Sequence, residues 1–269
     1  MPRFLFWNIQ GKPLHDLVAD LAELHSVDVL ILAECRTPLA TILSSLNRTK
    51  PHYHFCPGLC DRITIFAAFQ ASFLRPVFES SRITIRRLSL PARQDILLVG
   101  AHLPSRLHFS EESLKVECGE LSRAIAKEET SVGHSRTAVF GDLNVNPFEA
   151  GMVAAGGLHA VMSKETALRG SRTVQARDYE FFYNPMWAHF GDRSDGPPGT
   201  FYYEKAEHVV YFWNVFDQVL LRPALLSRFE PDDVKILTEV GEISLLQPNG
   251  RPNPSLASDH LPVLVELKF

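Results

Sequence analysis

No apolar run in this 269-residue chain approaches the roughly 20 residues needed to span a bilayer. The opening Met1-Pro2-Arg3-Phe4-Leu5-Phe6-Trp7 is too short and too soon interrupted for a secretory leader. Membrane insertion and export are therefore not expected. Cysteine is also scarce. Cys35, Cys56, Cys60 and Cys118 have irregular spacing, which reads as reduced thiols rather than a disulfide framework and points to a cytoplasmic protein. With His52 and His54 the middle pair matches no zinc-finger pattern. Basic excess is missing as well: 27 Lys and Arg stand against 31 Asp and Glu, for a net charge of −4. No global positive field is available to hold a polyanion, which argues against a processive nuclease and leaves room for a local basic rim. Repeats, low-complexity stretches and linkers are absent too, so one domain over residues 1–269 is expected.

What is present is ordinary globular material, 45% apolar, enough for a large core. Residues 3–9 read as a strand. Leu14, Leu17, Val18, Leu21 and Leu24 then recur at helical spacing. Residues 28–33 are a continuous apolar strand, and Pro38 opens a helix to about residue 46. Short strand-like runs follow at 53–55, 63–69, 83–88 and 96–101, a pattern of antiparallel sheet. Ser110 caps a long helix to about residue 128. A core strand at 137–140 comes next, and Asn146-Pro147-Phe148-Glu149 opens a short helix. Residues 163–200 look irregular. Strands resume at 200–203, 216–221, 234–237 and 261–267. Strand runs mixed with crossover helices suit an α/β fold, a two-sheet β-sandwich flanked by helices.

Several of these strands end on polar groups. Trp7-Asn8 closes the first and Glu34 the second. His102 follows residues 96–101. Gly141-Asp142-Leu143-Asn144 follows residues 137–140. Ser258-Asp259-His260 precedes the last strand. A carboxylate at the end of a buried strand is costly to desolvate unless a cation or hydrogen bonds hold it. Several such carboxylates brought together would form a hard-cation site suited to Mg²⁺ and phosphate oxygens.

The order Trp-Asn, Glu, strand-ending His, Gly-Asp-Leu-Asn, Phe-Asp-Gln-Val-Leu and Ser-Asp-His resembles the endonuclease/exonuclease/phosphatase superfamily, from residue 4 to residue 269. Each motif alone is weak; five or six in order are strong. The resemblance implies a four-layer, deoxyribonuclease I-like sandwich and a Mg²⁺- or Mn²⁺-dependent phosphoester hydrolase. It also implies roles for individual residues. Glu34, Asp259 and Asn8 would serve the metal. Asp142 would orient or deprotonate the attacking water. Asn144 and Asn8 would hold a phosphate oxygen. His260 would meet the scissile phosphate, with Asp217 hydrogen-bonded to it. His102 would act as general acid or phosphate ligand. Arg62 suits bidentate phosphate contact, although a solvated strand-edge arginine is as good a reading of the residue alone.

For Asp142 and Asn144, two apart, an extended segment would turn both side chains to one phosphate; an Asx-type turn is an equal alternative. A repair endonuclease is in doubt, because Arg36 stands where those enzymes often place a lysine. The expected substrate is nucleic acid, DNA or RNA, cut at its phosphodiester bonds. A small phosphorylated metabolite or lipid headgroup is the alternative, and a non-catalytic binding module a third. The aromatic and proline-rich residues 181–203, with Arg193 and Lys205, are expected to wall the cleft and select a strand, unless Phe181, Tyr183 and Trp187 only pin that segment to the core.

Overall fold

The computed structural model describes every residue except Pro51, residues 192–195 and Glu207. Arg193, one of the expected phosphate contacts, therefore lies outside the described residues. The first eight strands are β1 (Arg3–Asn8), β2 (Val29–Ala33), β3 (His54–Cys56), β4 (Ile63–Ala67), β5 (Leu74–Glu79), β6 (Ile83–Leu88), β7 (Ile96–His102) and β8 (Thr137–Asp142). Between them lie α1 (His15–Leu24), α2 (Leu39–Leu46) and α3 (Glu111–Val132). Then come α4 (Ala150–Val153), β9 (Ala160–Val161), α5 (Lys164–Ala167), β10 (Ser171–Val174), β11 (Arg177–Glu180) and β12 (Phe182–Tyr183). The chain closes with β13 (Phe201–Tyr203), β14 (Phe212–Asn214), β15 (Asp217–Leu221), β16 (Val234–Ile236), β17 (Glu239–Val240), β18 (Ile243–Ser244) and β19 (Val263–Glu266).

Two sheets carry the fold. One has the order β16-β19-β1-β2-β4-β3, the other β5-β6-β7-β8-β15-β12-β9. Each has a parallel pair at its centre, β1 with β2 and β7 with β8, flanked by antiparallel strands. β2, β7 and β8 are buried along their whole length, which is why their sequences are largely apolar rather than alternating. Phe4, Phe6, Ile31 and Val263 of the first sheet meet Leu98, Phe140 and Val219 of the second to form the central core. The outer face of the first sheet packs under α1 and α2 through Leu5, Leu30, Leu32, Val18, Leu21 and Ile42. The outer face of the second packs under α3 through Leu97, Val99, Val139, Leu114, Leu121 and Ile125. The result is the four-layer sandwich. Among the described residues, no helix is long and apolar enough to cross a membrane.

Helix α3 extends beyond its expected end. Ser110 caps it by accepting from the Ser113 N–H, and Gly133 closes it at φ 76°. The larger departure is residues 163–200, which are not irregular but hold α5, the β10–β11 hairpin and β12. The hairpin turn falls on Gln175 and Ala176, both at positive φ (48° and 61°). Such turns normally announce themselves with Asn or Gly, so no sequence signal marked this one. Phe181, Phe182 and Tyr183 are buried, at 3%, 0% and 5% exposure, so this part of the segment is core and not cleft wall.

Candidate metal and phosphoester centre

Parallel pairing aligns strand ends. Asn8 closes β1 opposite Ala33, one residue before Glu34. His102 closes β7 opposite Asp142 at the end of β8. Antiparallel β15 then sets Asp217 opposite Asp142. His260 lies just before β19, the antiparallel neighbour of β1. Asn8, Glu34, His102, Asp142, Asp217 and His260 therefore gather at one end of the sandwich. Gly141 is needed for this approach: a Cβ there would stand 2.4 Å from the Ala101 carbonyl oxygen, in the next strand.

Asp142 is the hub. It is 1% exposed, and its Oδ2 accepts from Asn8 Nδ2 at 2.9 Å. His102 Nε2 lies 3.5 Å from the same oxygen and 3.4 Å from Glu34 Oε1. His260 Nδ1 bonds Asp217 Oδ2 at 2.8 Å, while its Nε2 faces Asp142 Oδ2 at 3.9 Å and Asp259 Oδ1 at 4.0 Å. Burial by itself would depress the His260 imidazolium, but the charges of Asp217 and Asp142 outweigh it and hold the pKa up at about 10. Burial pushes Asp217 up to about 6, against the pull of His260. His102 differs: burial keeps it below the ordinary imidazole range, although Asp142 and Glu34 pull the other way. Two histidines in one site are thus set to opposite protonation states at neutral pH.

Gln10, which the sequence did not single out, completes the frame together with Trp7 and Ser258. Gln10 Nε2 donates to Asp259 Oδ2 at 2.7 Å. Ser258 Oγ donates to the Asn8 carbonyl at 2.6 Å and accepts the His260 N–H. Trp7 Nε1 donates to the His260 carbonyl, fixing that turn against β1. Gln10, Glu34 and Asn144 all have left-handed φ, at 54°, 52° and 53°. Non-glycine residues in that region cluster where function holds the backbone under strain.

Two local geometries narrow the reading. Asn144 is not extended beside Asp142. Its N–H donates to Asp142 Oδ1 at 3.1 Å and its Nδ2 to the Leu103 carbonyl at 3.1 Å, so the pair forms the Asx-type turn. Asn8 has both ends of its amide engaged within the chain, Nδ2 by Asp142 and Oδ1 by the Gln10 N–H, which makes it a group that positions Asp142. Arg62 lines a groove of about 420 Å³ beside Glu34, together with Arg36, Arg82 and Asp61. Among the described residues, none of these three guanidiniums lies within 4.0 Å of a carboxylate.

The donor set suits a hard divalent cation. Glu34 and Asp259 are carboxylates with side chains 27% and 30% exposed, open enough to take an ion and its waters. Asp142, Asp217 and His260 also offer ligand atoms within 4.8 Å of one another. In that trio His260 Nδ1 is already bonded to Asp217 Oδ2, which leaves His260 Nε2 and Asp217 Oδ1, unpartnered among the described residues, as the atoms of that pair open to an ion. The His102 Nδ1 atom is buried with no partner among the described residues, a further sign that the site is incomplete without an added group.

No protein-family model matches the chain, and no curated protein matches it significantly. Solved structures do match, over its full length. The human Nocturnin catalytic domain with bound sulfate superposes with a TM-score of 0.59 at 15% identity, covering 100% of this chain and 94% of that one. D. rerio TDP2 complexed with a single-strand DNA product gives 0.57 at 16%, covering 100% and 99%. An endonuclease/exonuclease/phosphatase family protein from Bacteroides thetaiotaomicron gives 0.60 at 12%, covering 99% and 94%. The chain has the endonuclease/exonuclease/phosphatase fold.

Proposed function

We propose that the chain is a phosphodiesterase dependent on Mg²⁺ or Mn²⁺ that cuts nucleic-acid strands by in-line attack of water. The observation that carries this reading is the meeting of Glu34, His102 and Asp142 around one point, with a His260 imidazolium set beside them by buried Asp217. Glu34 and Asp259 would hold the ion, which when bound supplies Lewis acidity and neutralises phosphate charge. The chain's own residues do the rest. Asp142, oriented by Asn8 and the Asn144 N–H, aligns the water and accepts its proton. His260, charged and fixed by Asp217, stabilises the negative charge that grows on the phosphate oxygens. Neutral His102 is a hydrogen-bond donor to a phosphate oxygen.

Two features favour a strand over a small ester. The Arg36, Arg62 and Arg82 groove continues from Glu34 and suits a neighbouring phosphate. On the other side the Phe201 ring lies 4.6 Å from His260 and stacks on Phe216 at 5.4 Å and Tyr203 at 6.4 Å, an aromatic surface fit for bases. The D. rerio TDP2 structure, with its single-strand DNA product, is a precedent on the same fold.

The test is a panel of single-stranded DNA, duplex DNA, RNA, mononucleotides and phosphoinositides, each incubated with the protein and Mg²⁺ or Mn²⁺. Cleavage of one or more nucleic acids well ahead of the small esters is expected. Preference for a mononucleotide or a phosphoinositide would replace this reading with a small-molecule or lipid-headgroup phosphatase.

A further inference from the structure

Beside Asp259, on the face of the β13–β14 hairpin turned away from Phe201, lies a second concavity of about 400 Å³. Asp259, which faces His260 in the centre described above, is one of its lining residues, so the two adjoin. Its outer wall is Tyr202, with Glu204, Gln247, Asn249 and Arg251 around it. The volume falls within the range of small-molecule sites.

The walls are organised in advance. The Arg251 guanidinium lies over the Tyr202 ring, 4.0 Å from its centroid. Glu204 holds both, accepting from the Tyr202 hydroxyl at 3.1 Å and pairing with Arg251 Nη1 at 3.0 Å. The guanidinium is therefore a fixed plane with its charge largely answered. That arrangement is ill suited to gripping a phosphate, which would have to compete with Glu204 and face the Asp259 carboxylate. It is well suited to stacking on a neutral planar ring. Two amides flank the plane. Asn249 Oδ1 accepts the Arg251 N–H at 3.1 Å, and Gln247 Nε2 donates to the Pro252 carbonyl at 2.8 Å. Among the described residues, the Asn249 Nδ2 donor and the Gln247 Oε1 acceptor have no protein partner. One donor and one acceptor beside a stacking plane match the edge of a nucleobase.

We infer that this concavity is a nucleobase subsite, which takes the base of the nucleotide joined to the scissile phosphate on its Asp259 side. The inference rests on the phosphodiesterase reading and sharpens it: the substrate carries an unpaired, accessible base there, as a single strand does and a duplex does not.

Two measurements test it. In EDTA, with turnover blocked, intrinsic fluorescence is titrated with nucleoside 5′-monophosphates and with ribose 5-phosphate. Trp213 sits 5.3 Å from Tyr202, close enough to report a ring stacking there. Saturable quenching by a nucleotide, with affinity at least tenfold above ribose 5-phosphate, is expected. Arg251→Lys, which keeps the charge for Glu204 and loses the plane, should weaken it at least fivefold. Equal affinity for the two phosphates in the wild type overturns the subsite, whatever the variant does. With Mg²⁺, dinucleotides bearing an abasic sugar on one side or the other are compared with the intact dinucleotide. Loss of one base should lower kcat/KM at least tenfold, and Arg251→Lys should shrink that difference. Hydrolysis that ignores both bases defeats the subsite alone. If the wild type hydrolyses no diester, the phosphodiesterase reading fails while the fluorescence titration still decides the subsite.

Discussion

Where β7 and β8 begin, Asp95 is clasped by Arg87 at 2.5 Å and Arg136 at 2.9 Å. Close by, buried Arg222 holds Glu129 through two bonds of 2.9 and 3.0 Å, and Lys268 holds Asp233 at 3.0 Å. Where the same strands end, Glu34, Asp142, Asp217 and Asp259 converge on two histidines, while Arg36, Arg62 and Arg82 stand nearby without carboxylate partners among the described residues. Both ends are built on the same two parallel strand pairs. One end completes its electrostatics within the chain. At the other, Asp142 and Asp259 face the imidazole that Asp217 holds, so several carboxylates share one buried partner. Charge that is paired internally serves the fold, and charge that is not paired marks the site.

Substitutions can break this contrast from either side. The largest effect is expected at the site. Glu34→Gln or Asp142→Asn should each lower kcat by about 10²–10⁴-fold, with far-UV circular dichroism unchanged and Tm shifted little. At the other end the signature should invert. Arg222→Ala leaves Glu129 buried and unpaired, which costs about 3–5 kcal/mol of stability, measured by urea unfolding, while the rate per folded molecule stays at the wild-type value. A site variant that unfolds the protein, or an Arg222 variant that keeps full stability, would blur the distinction.

The two ends should also respond to pH in opposite directions. Burial alone would raise Asp95, but Arg87 and Arg136 hold its pKa below the usual carboxylate range. A depressed carboxylate gives stability that is present above its unfolded pKa, 3.8, and lost as pH falls through the folded value. His260 is raised, so its contribution is complete below 6.5 and lost as pH rises toward about 10. Asp217, at about 6, is ionised before that window and adds no change within it. In metal-free buffer, Asp95→Asn should flatten the acid side of a Tm-against-pH curve and His260→Gln the alkaline side. Interchange of the two effects would contradict the assignment.

The smallest expected effect concerns strain. Glu34 stands at φ 52°, where a side chain costs about 1 kcal/mol relative to glycine. Glu34→Gly should therefore gain up to about 1 kcal/mol of stability while losing activity. A loss of stability would show that Glu34 supports the fold.

The polar residues at strand ends were legible in the sequence because the strands before them are fully buried, so Glu34, His102 and Asp142 each interrupt an unbroken apolar run. The sandwich was legible for the same reason. What escaped was set by geometry without a composition signal. The β10–β11 turn uses Gln175 and Ala176 where Asn or Gly would have announced it. Gln10 reaches Asp259 across 249 positions, and Tyr202 of β13 meets Arg251 from a distant loop. Spacing alone could not choose between an extended segment and an Asx-type turn at Asn144, because it records which residues are present and not the sign of φ.

The most direct test of a metal-dependent phosphoester centre at this end of the sandwich is the rate of phosphodiester hydrolysis in EDTA, followed by addition of excess Mg²⁺ or Mn²⁺. Hydrolysis should vanish in the chelator, return with the ion in the wild type, and stay absent in Glu34→Gln at the same ion concentration. A full rate in EDTA, or full recovery by Glu34→Gln, would contradict the account.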